Sequence, residues 1–270
     1  MSFRVGWNPR DQPGLAKLAL GFIGAACIYR GVDSYRRWLD LGPGGVPYNV
    51  TGWLMNILAR PFARFDVRVV APYNMEDQKP MYGDLGHVSF FSNGDDGPPL
   101  PPPRSGARPD VPSYVIPQRQ ITEQATASMF ARQEAFVAAV VAANASLLRL
   151  EPSMLEGRTH NALWLAADDI SDDGIPPMLR RTKGEFLHPH REGSSHGIFS
   201  LTDAARLIEL GWAERHPLTG SKTAAGMPWS YVLIYAPRDE GEFAVWKNIV
   251  MAAVRFVAAA SERVVDVKNP

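Results

Sequence analysis

Residues 184–201, GEFLHPHREGSSHGIFSL, constrain the fold more than any other part of the chain. They hold two short runs of strand-forming residues, GEFLHPH and SHGIFSL, joined by Arg-Glu-Gly-Ser, and this pattern predicts a β-hairpin. Side chains alternate faces along a strand, so Phe186, His188 and His190 share one face, while His196, Ile198 and Ser200 share a face of the next strand. A connection that pairs His190 across from His196 brings three of the six histidines onto one sheet face. A slip of one residue sends His196 to the other face. Pro189 lacks a ladder donor, which ends the first strand there or places it at an edge.

The segments after the hairpin complete a fold class. TDAARLIEL predicts a helix with Thr202 as N-cap, Asp203 in the first turn and Gly211 as the C-terminal stop. GWAERHPL is a short extended segment ending at Pro217, and it carries a fourth histidine, His216. WSYVLIYAP is dense in aromatic and β-branched residues and predicts a strand. Residues 239–264 form a long amphipathic helix with acids at its start and Arg263 near its end. Hairpin, helix, strands and helix in this order predict an α+β two-layer sandwich, a mostly antiparallel sheet packed by helices.

Upstream, TGWLMNILARPF predicts a short amphipathic helix ending near Pro61. Residues 72–117 are rich in breakers, and SNGDDGPPLPPPRSGARPDVP, at about 92–113, has too little apolar content to fold alone; it is expected to be a surface excursion or disordered loop. PPLPPPR is either an inert piece of that loop or a polyproline ligand for a protein partner. Residues 118–148 carry no Gly or Pro and predict one long helix, or two with a kink. NALWLAA suits a buried strand, and ADDISDDGIPP an acidic turn.

At the amino terminus, residues 18–29 form an apolar run of twelve, shorter than the roughly 20 residues that span a bilayer. Three readings stay open for this hydrophobic helix: packing on the domain, membrane association through residues 14–30 with Lys17 and Arg30 reaching the interface, and a cleaved signal peptide. The first two place the protein inside the cell, free in the cytoplasm or on a membrane such as the endoplasmic reticulum. Formal net charge is zero over 270 residues, which leaves no global attraction for nucleic acid. The single Cys27 rules out an internal disulfide.

The candidate chemistry lies with His188, His190, His196 and His216. A metal site would use two histidines at i and i+2, a third nearby, and Glu185 or His216. In a regular strand Glu185 points away from His188, so it would need a bulge. An acid–base site asks for less: one imidazole takes a proton from an enol or phenol while another, or an arginine, holds the oxyanion. Arg181, Arg215 and Arg238 are candidate cations, and Trp212, Trp229 and Tyr231 are candidate walls of an aromatic pocket. The phosphate-binding loop, the dinucleotide fingerprint and the Gly-x-Ser-x-Gly elbow are all absent from the sequence.

RRTKGEFLHPH, SSH, LGWAERHPL and YVLIYAPRDEGE, followed by a long terminal helix, resemble the luciferase-like domain family, whose best-known members are the fungal luciferases. The resemblance runs from Arg180 to about Ala260 and, more weakly, over IPQRQ and NVTGWLMNILARP. It implies an oxygen-using enzyme acting on a hydroxypyrone such as 3-hydroxyhispidin, or on a related phenolic or polyketide-type molecule. The reaction uses molecular oxygen as cosubstrate and no organic cofactor, with a metal the less favoured alternative. Light emission does not follow from membership. On this reading residues 1–44 are an N-terminal hydrophobic region, 45–262 the luciferase-like domain and 263–270 a tail. The four histidines form the catalytic centre, and Arg181, Glu185, Trp212, Arg215, Trp229, Tyr231 and Arg238 bind substrate. Two other functions remain: a non-oxidative cyclase or isomerase, and a binding module.

Overall fold

A computed structural model describes residues 13–92, 97–166, 174–223, 226–262 and 266–270. The chain divides into two compact units, 1–42 and 43–270. The first contains helix α1 (Pro13–Leu39), whose Leu18, Leu20, Phe22, Ile23 and Ile28 are exposed and whose last turn carries Arg36 and Arg37, a favourable charge for a helix C-terminus.

The second unit is an α+β domain. Helix α2 (Val50–Ala59) starts at Asn49, whose side chain accepts from the backbone N–H groups of Thr51 and Gly52, and passes into a 3-10 turn at Arg60–Phe62. A short helix, α3 (Lys79–Tyr82), and the long helix α4 (Ala127–Ala143) follow. Then come strands β1 (Leu148–Pro152), β2 (Asn161–Leu165), β3 (Glu185–Pro189) and β4 (Ser195–Ile198), helix α5 (Leu201–Glu209), strands β5 (Ala213–Arg215) and β6 (Tyr231–Ile234), and helix α6 (Glu240–Ala260). The strands form one sheet in the order β1-β2-β3-β4-β6-β5, and every neighbouring pair is antiparallel.

Helices α4 and α6 pack on one face of this sheet. Trp246 of α6 donates to Ser195 Oγ at 3.1 Å, which identifies the face carrying Ser195 as the covered one. His196, the next residue along β4, therefore looks the other way. By length and composition α6 could cross a bilayer, but most of it is buried in the domain; Ile249, Val250, Ala253, Val254 and Phe256 are fully buried core.

Three expectations change. The long helix expected over 118–148 is only α4, because Gln118, Arg119 and Gln120 spend their side chains on buried partners and Thr126 caps a later start; Leu148 already belongs to β1. The N-cap of α5 is Ser200, not Thr202; Asp203 is instead drawn off the helix to Ser89 Oγ at 2.6 Å and the N–H of Phe90 at 2.8 Å. The Pro-rich segment is anchored where described. Buried Arg104 reaches Glu123, Glu242 and the Ala236 carbonyl, and Arg108 binds the carbonyls of Ala213 and Ile208. Two arginines thus add polar anchors to a segment in which Pro98, Pro101 and Pro109 are also buried. The centre of that loop (93–96), the acidic turn (167–173) and Arg263 lie outside the described residues.

Candidate functional site

The hairpin sets the site. His190 N–H donates to the Ser194 carbonyl at 2.7 Å, and Gly193 N–H donates to the His190 carbonyl at 2.8 Å. The result is a three-residue connection closed by a left-handed glycine, Gly193, at φ 93°. The register pairs His188 with His196 and Pro189 with Ser195. That is two residues from the pairing of His190 with His196, and a shift of two preserves the face. All three histidines share one side.

Glu185 joins them through a bulge. Leu163 pairs with Leu187 while the next residue, Trp164, pairs with Glu185, so β3 carries one extra residue and its phase shifts. Glu185 Oε1 lies 2.7 Å from His188 Nδ1. The same carboxylate accepts from Ser153 Oγ (2.6 Å) and from the N–H groups of Met154 (2.8 Å) and Leu155 (3.3 Å). These bonds hold the turn after β1, and that turn delivers Glu156.

A second segment closes over the histidines. Asn56 on α2 accepts the N–H of Val115 at 2.7 Å, positioning residues 115–120. Gln118 Oε1 meets His196 Nε2 at 3.0 Å, while its amide nitrogen donates to Glu214 Oε1 and to the Arg215 carbonyl. Arg119 hydrogen-bonds Glu156 and lies 3.6 Å from Glu192 Oε2. Gly44 passes so close that a Cβ there would meet Arg119 Nη2 and Glu156 Oε2 at 2.7 Å.

Glu156, His188, His190 and His196 each offer a ligand atom, and these four atoms lie within 4.8 Å of one another. His196 Nδ1 is 3.1 Å from His190 Nε2; Glu156 Oε1 is 3.5 Å from His188 Nε2 and 3.7 Å from His190 Nε2. All four residues are buried. Burial pushes His190 down to about 4, with the Arg119 charge adding to it, and burial drives His196 well below its ordinary value. His188 goes the other way: burial opposes its charge, but the carboxylates of Glu156 and Glu185 hold it up to about 9. Burial also opposes the Glu156 charge, yet Arg119 and the histidines keep that carboxyl below the usual range. Environment has separated chemically identical groups, as active sites do.

His196, His216, Glu156 and Gln118 border a cavity of about 240 Å³ whose other walls include Ile116, Pro117, Leu155, Leu218, Met227 and Tyr231. The Tyr231 ring stacks on His196 with centroids 4.8 Å apart. His216 Nδ1 accepts the Leu218 N–H at 3.1 Å, and burial pushes this imidazole down to about 3. A larger cleft of about 500 Å³, lined by Arg64, Phe65, Arg68, Val69, Gln118 and Glu214, contains none of the histidines. The histidine cluster therefore opens onto the smaller cavity.

The other expected site residues divide. Arg181 lines the cavity and donates to the Thr223 carbonyl at 3.0 Å. Glu185 sits behind His188 rather than on the cavity wall. Trp212, Arg215, Trp229 and Arg238 are outside the lining. Trp212 donates to the Pro102 carbonyl, and Arg215 clamps the carbonyls of Val69, Val70 and Trp229. Trp229 packs against Tyr73 and has the Arg64 guanidinium over its ring, and Arg238 binds Glu242 and Ser105. Their side chains meet structural partners, which their aromatic and cationic character alone does not reveal. Sequence reasoning missed Gln118, Arg119 and Glu156. The first two lie in the IPQRQ stretch, a usable signal; Glu156 sits in an ordinary turn and left none.

The luciferase domain profile matches residues 183–253, which cover the hairpin, β5, β6 and most of α6. The chain is similar to the luciferase of Armillaria ostoyae, with 30% identity over 232 residues, covering 83% of this chain and 80% of that protein. The luciferase of Armillaria mellea is likewise 30% identical over 232 residues. That of Neonothopanus nambi is 27% identical over 230 residues, covering 83% of this chain and 79% of that protein. No solved structure matches significantly. Four-fifths coverage at this identity, with a domain profile that includes the hairpin carrying the histidines, places the chain in the luciferase-domain family together with the fungal luciferases.

Proposed function

We propose that this protein is an oxygenase that adds molecular oxygen, without an organic cofactor, to a hydroxypyrone, phenolic or polyketide-type small molecule. One observation carries the reading: a small, largely apolar cavity ends on a buried floor of histidines and Glu156, in a chain related to luciferases. Pyrone chemistry of this kind starts with loss of the hydroxyl proton to give an electron-rich enolate. Its carbon donates an electron pair to oxygen, so the substrate is oxidised by two electrons and oxygen becomes a bound peroxide. The polar floor supplies what that sequence needs, a proton acceptor and positive charge beside the forming oxyanion. The apolar walls and Tyr231 hold a flat ring and exclude water. A volume of about 240 Å³ is at the small end for ligand sites and favours a substrate of one or two rings.

The test is oxygen uptake by the purified chain with a panel of hydroxypyrones and related polyketides, with product masses recorded in parallel. The expected result is oxygen consumption matched to substrate loss, with oxygen-derived atoms in the product. Conversion without oxygen uptake, giving a product of unchanged mass, would assign a cyclase or isomerase instead. The exposed apolar residues of α1 support membrane association of residues 14–30. Flotation of the full chain with lipid vesicles, lost when Phe22 and Ile23 become Asp, checks this.

A further inference from the structure

The outer nitrogens of the three sheet histidines are each committed to an acceptor, and this fixes which nitrogen carries the proton. Gln118 Oε1 faces His196 Nε2 because the Gln118 amide nitrogen is used on Glu214 and the Arg215 carbonyl; His196 Nε2 therefore bears the hydrogen. Ser194 gives its hydroxyl hydrogen to Glu192, so His190 Nδ1, 2.8 Å from Ser194 Oγ, is the donor in that contact. His188 Nδ1 donates to Glu185. It follows that His196 Nδ1 and His190 Nε2 point lone pairs at each other across 3.1 Å, next to the acceptor Glu156. His188 Nε2 is buried in the same space without a hydrogen-bond partner. Lone pairs forced together in a dry interior call for a cation between them.

We propose that Glu156, His188, His190 and His196 form a three-histidine, one-carboxylate centre for a divalent first-row transition ion. Three features argue for it beyond the convergence of donors. Three of the six donor separations, 3.1, 3.5 and 3.7 Å, bracket the roughly 3.3 Å edge that bonds of about 2.0–2.1 Å give in a tetrahedral site, and all six lie within 4.8 Å. Every imidazole has an outer hydrogen-bond partner that fixes tautomer and ring orientation, the support that metal-ligating histidines ordinarily have. Arg119 binds Glu156 from behind, which orients the carboxylate and leaves Oε1 turned to the histidines. Imidazole and carboxylate donors without sulfur suit iron, manganese, cobalt or zinc. Glu156 and His196 also border the cavity, so a fifth coordination position, reached by expansion of the four-ligand site, would face it. There the ion would bind the substrate's oxyanion; this last clause alone rests on the oxygenase reading.

The experiment needs no substrate. Full-length protein is stripped with chelator and incubated anaerobically with Fe(II), Mn(II), Co(II) or Zn(II), and bound metal is counted after desalting, with Co(II) absorption as a second readout. One equivalent per chain with visible Co(II) bands is expected. His190→Gln and Glu156→Gln should abolish it, and Gln118→Leu should weaken it by about 10–100-fold. His160→Gln, outside the cluster, should leave it unchanged. Circular dichroism verifies folding of each variant, and the wild-type stoichiometry stands without them. Folded wild-type chain retaining less than about 0.1 equivalent of all four ions, or full binding that survives both ligand substitutions, would overturn the assignment. Metal uptake without oxygen consumption would sink the oxygenase reading alone; turnover by metal-free protein would sink the ion's contact with the substrate oxyanion and leave the binding result to decide the centre.

Discussion

The two faces of the β3-β4-β6 ribbon are equally buried and chemically opposite. On one side Leu187, Val232 and Ile234 meet the apolar side chains of α6. On the other, His188, His190, His196 and Glu185 are no more exposed, at 3% or less, yet each is held by a specific partner. The apolar face is stabilised by area and volume, which many residue combinations supply. The polar face is stabilised only while every donor and acceptor is satisfied, and desolvation makes each loss expensive. A protein has no stability reason to build the second kind of face. Its presence is the physical argument that the face has a function.

Substitutions on the two faces should therefore fail differently. Trp246→Ala removes the largest side chain on the apolar side and should cost about 3–5 kcal/mol in denaturant unfolding, while turnover per folded molecule persists. Arg119→Met, on the polar side, leaves Glu156 buried without its partner and should cost a similar 3–5 kcal/mol or so. The double variant Arg119→Met/Glu156→Leu should recover much of that stability and none of the activity. Recovery is the sharper half, because removing a second apolar neighbour of Trp246 would deepen the loss rather than restore it. Gly44→Ala pushes a methyl group against Arg119 and Glu156. About 1–3 kcal/mol is expected, with a larger loss of turnover than of stability. Thr126→Ala removes the α4 cap, in which Thr126 Oγ1 accepts from Met129 N–H; it should cost about 1 kcal/mol and leave turnover unchanged. An equal effect of Gly44→Ala and Thr126→Ala on activity would erase the distinction between the faces.

Much of this contrast is legible in the sequence. Period-two alternation in GEFLHPH and SHGIFSL places the histidines together, and the compact REGS turn keeps their parity even though the pairing is two residues from the simplest one. The strand of β6 and the helix α6 follow from local composition. What alternation misses is anything depending on phase or on distant chain. The bulge that turns Glu185 toward His188 is set by the register of β2 against β3. Glu156 arrives from a turn held by that same Glu185. Gln118 and Arg119 look helical in a stretch without breakers and become an extended cover only because buried partners claim their side chains. Trp212, Arg215, Trp229 and Arg238 have the right chemistry for a binding site, but nothing local says which way they point.

The polar face is the proposed reaction centre. Its most direct test is steady-state oxygen consumption, with the best substrate of the hydroxypyrone panel, by wild type and by His190→Gln at matched folded concentration. A loss of at least about 100-fold per folded molecule is expected, the scale on which a positioned acid–base or charge-stabilising group acts, over and above any lowering of the unfolding midpoint. Wild-type turnover in a folded His190→Gln protein would contradict it.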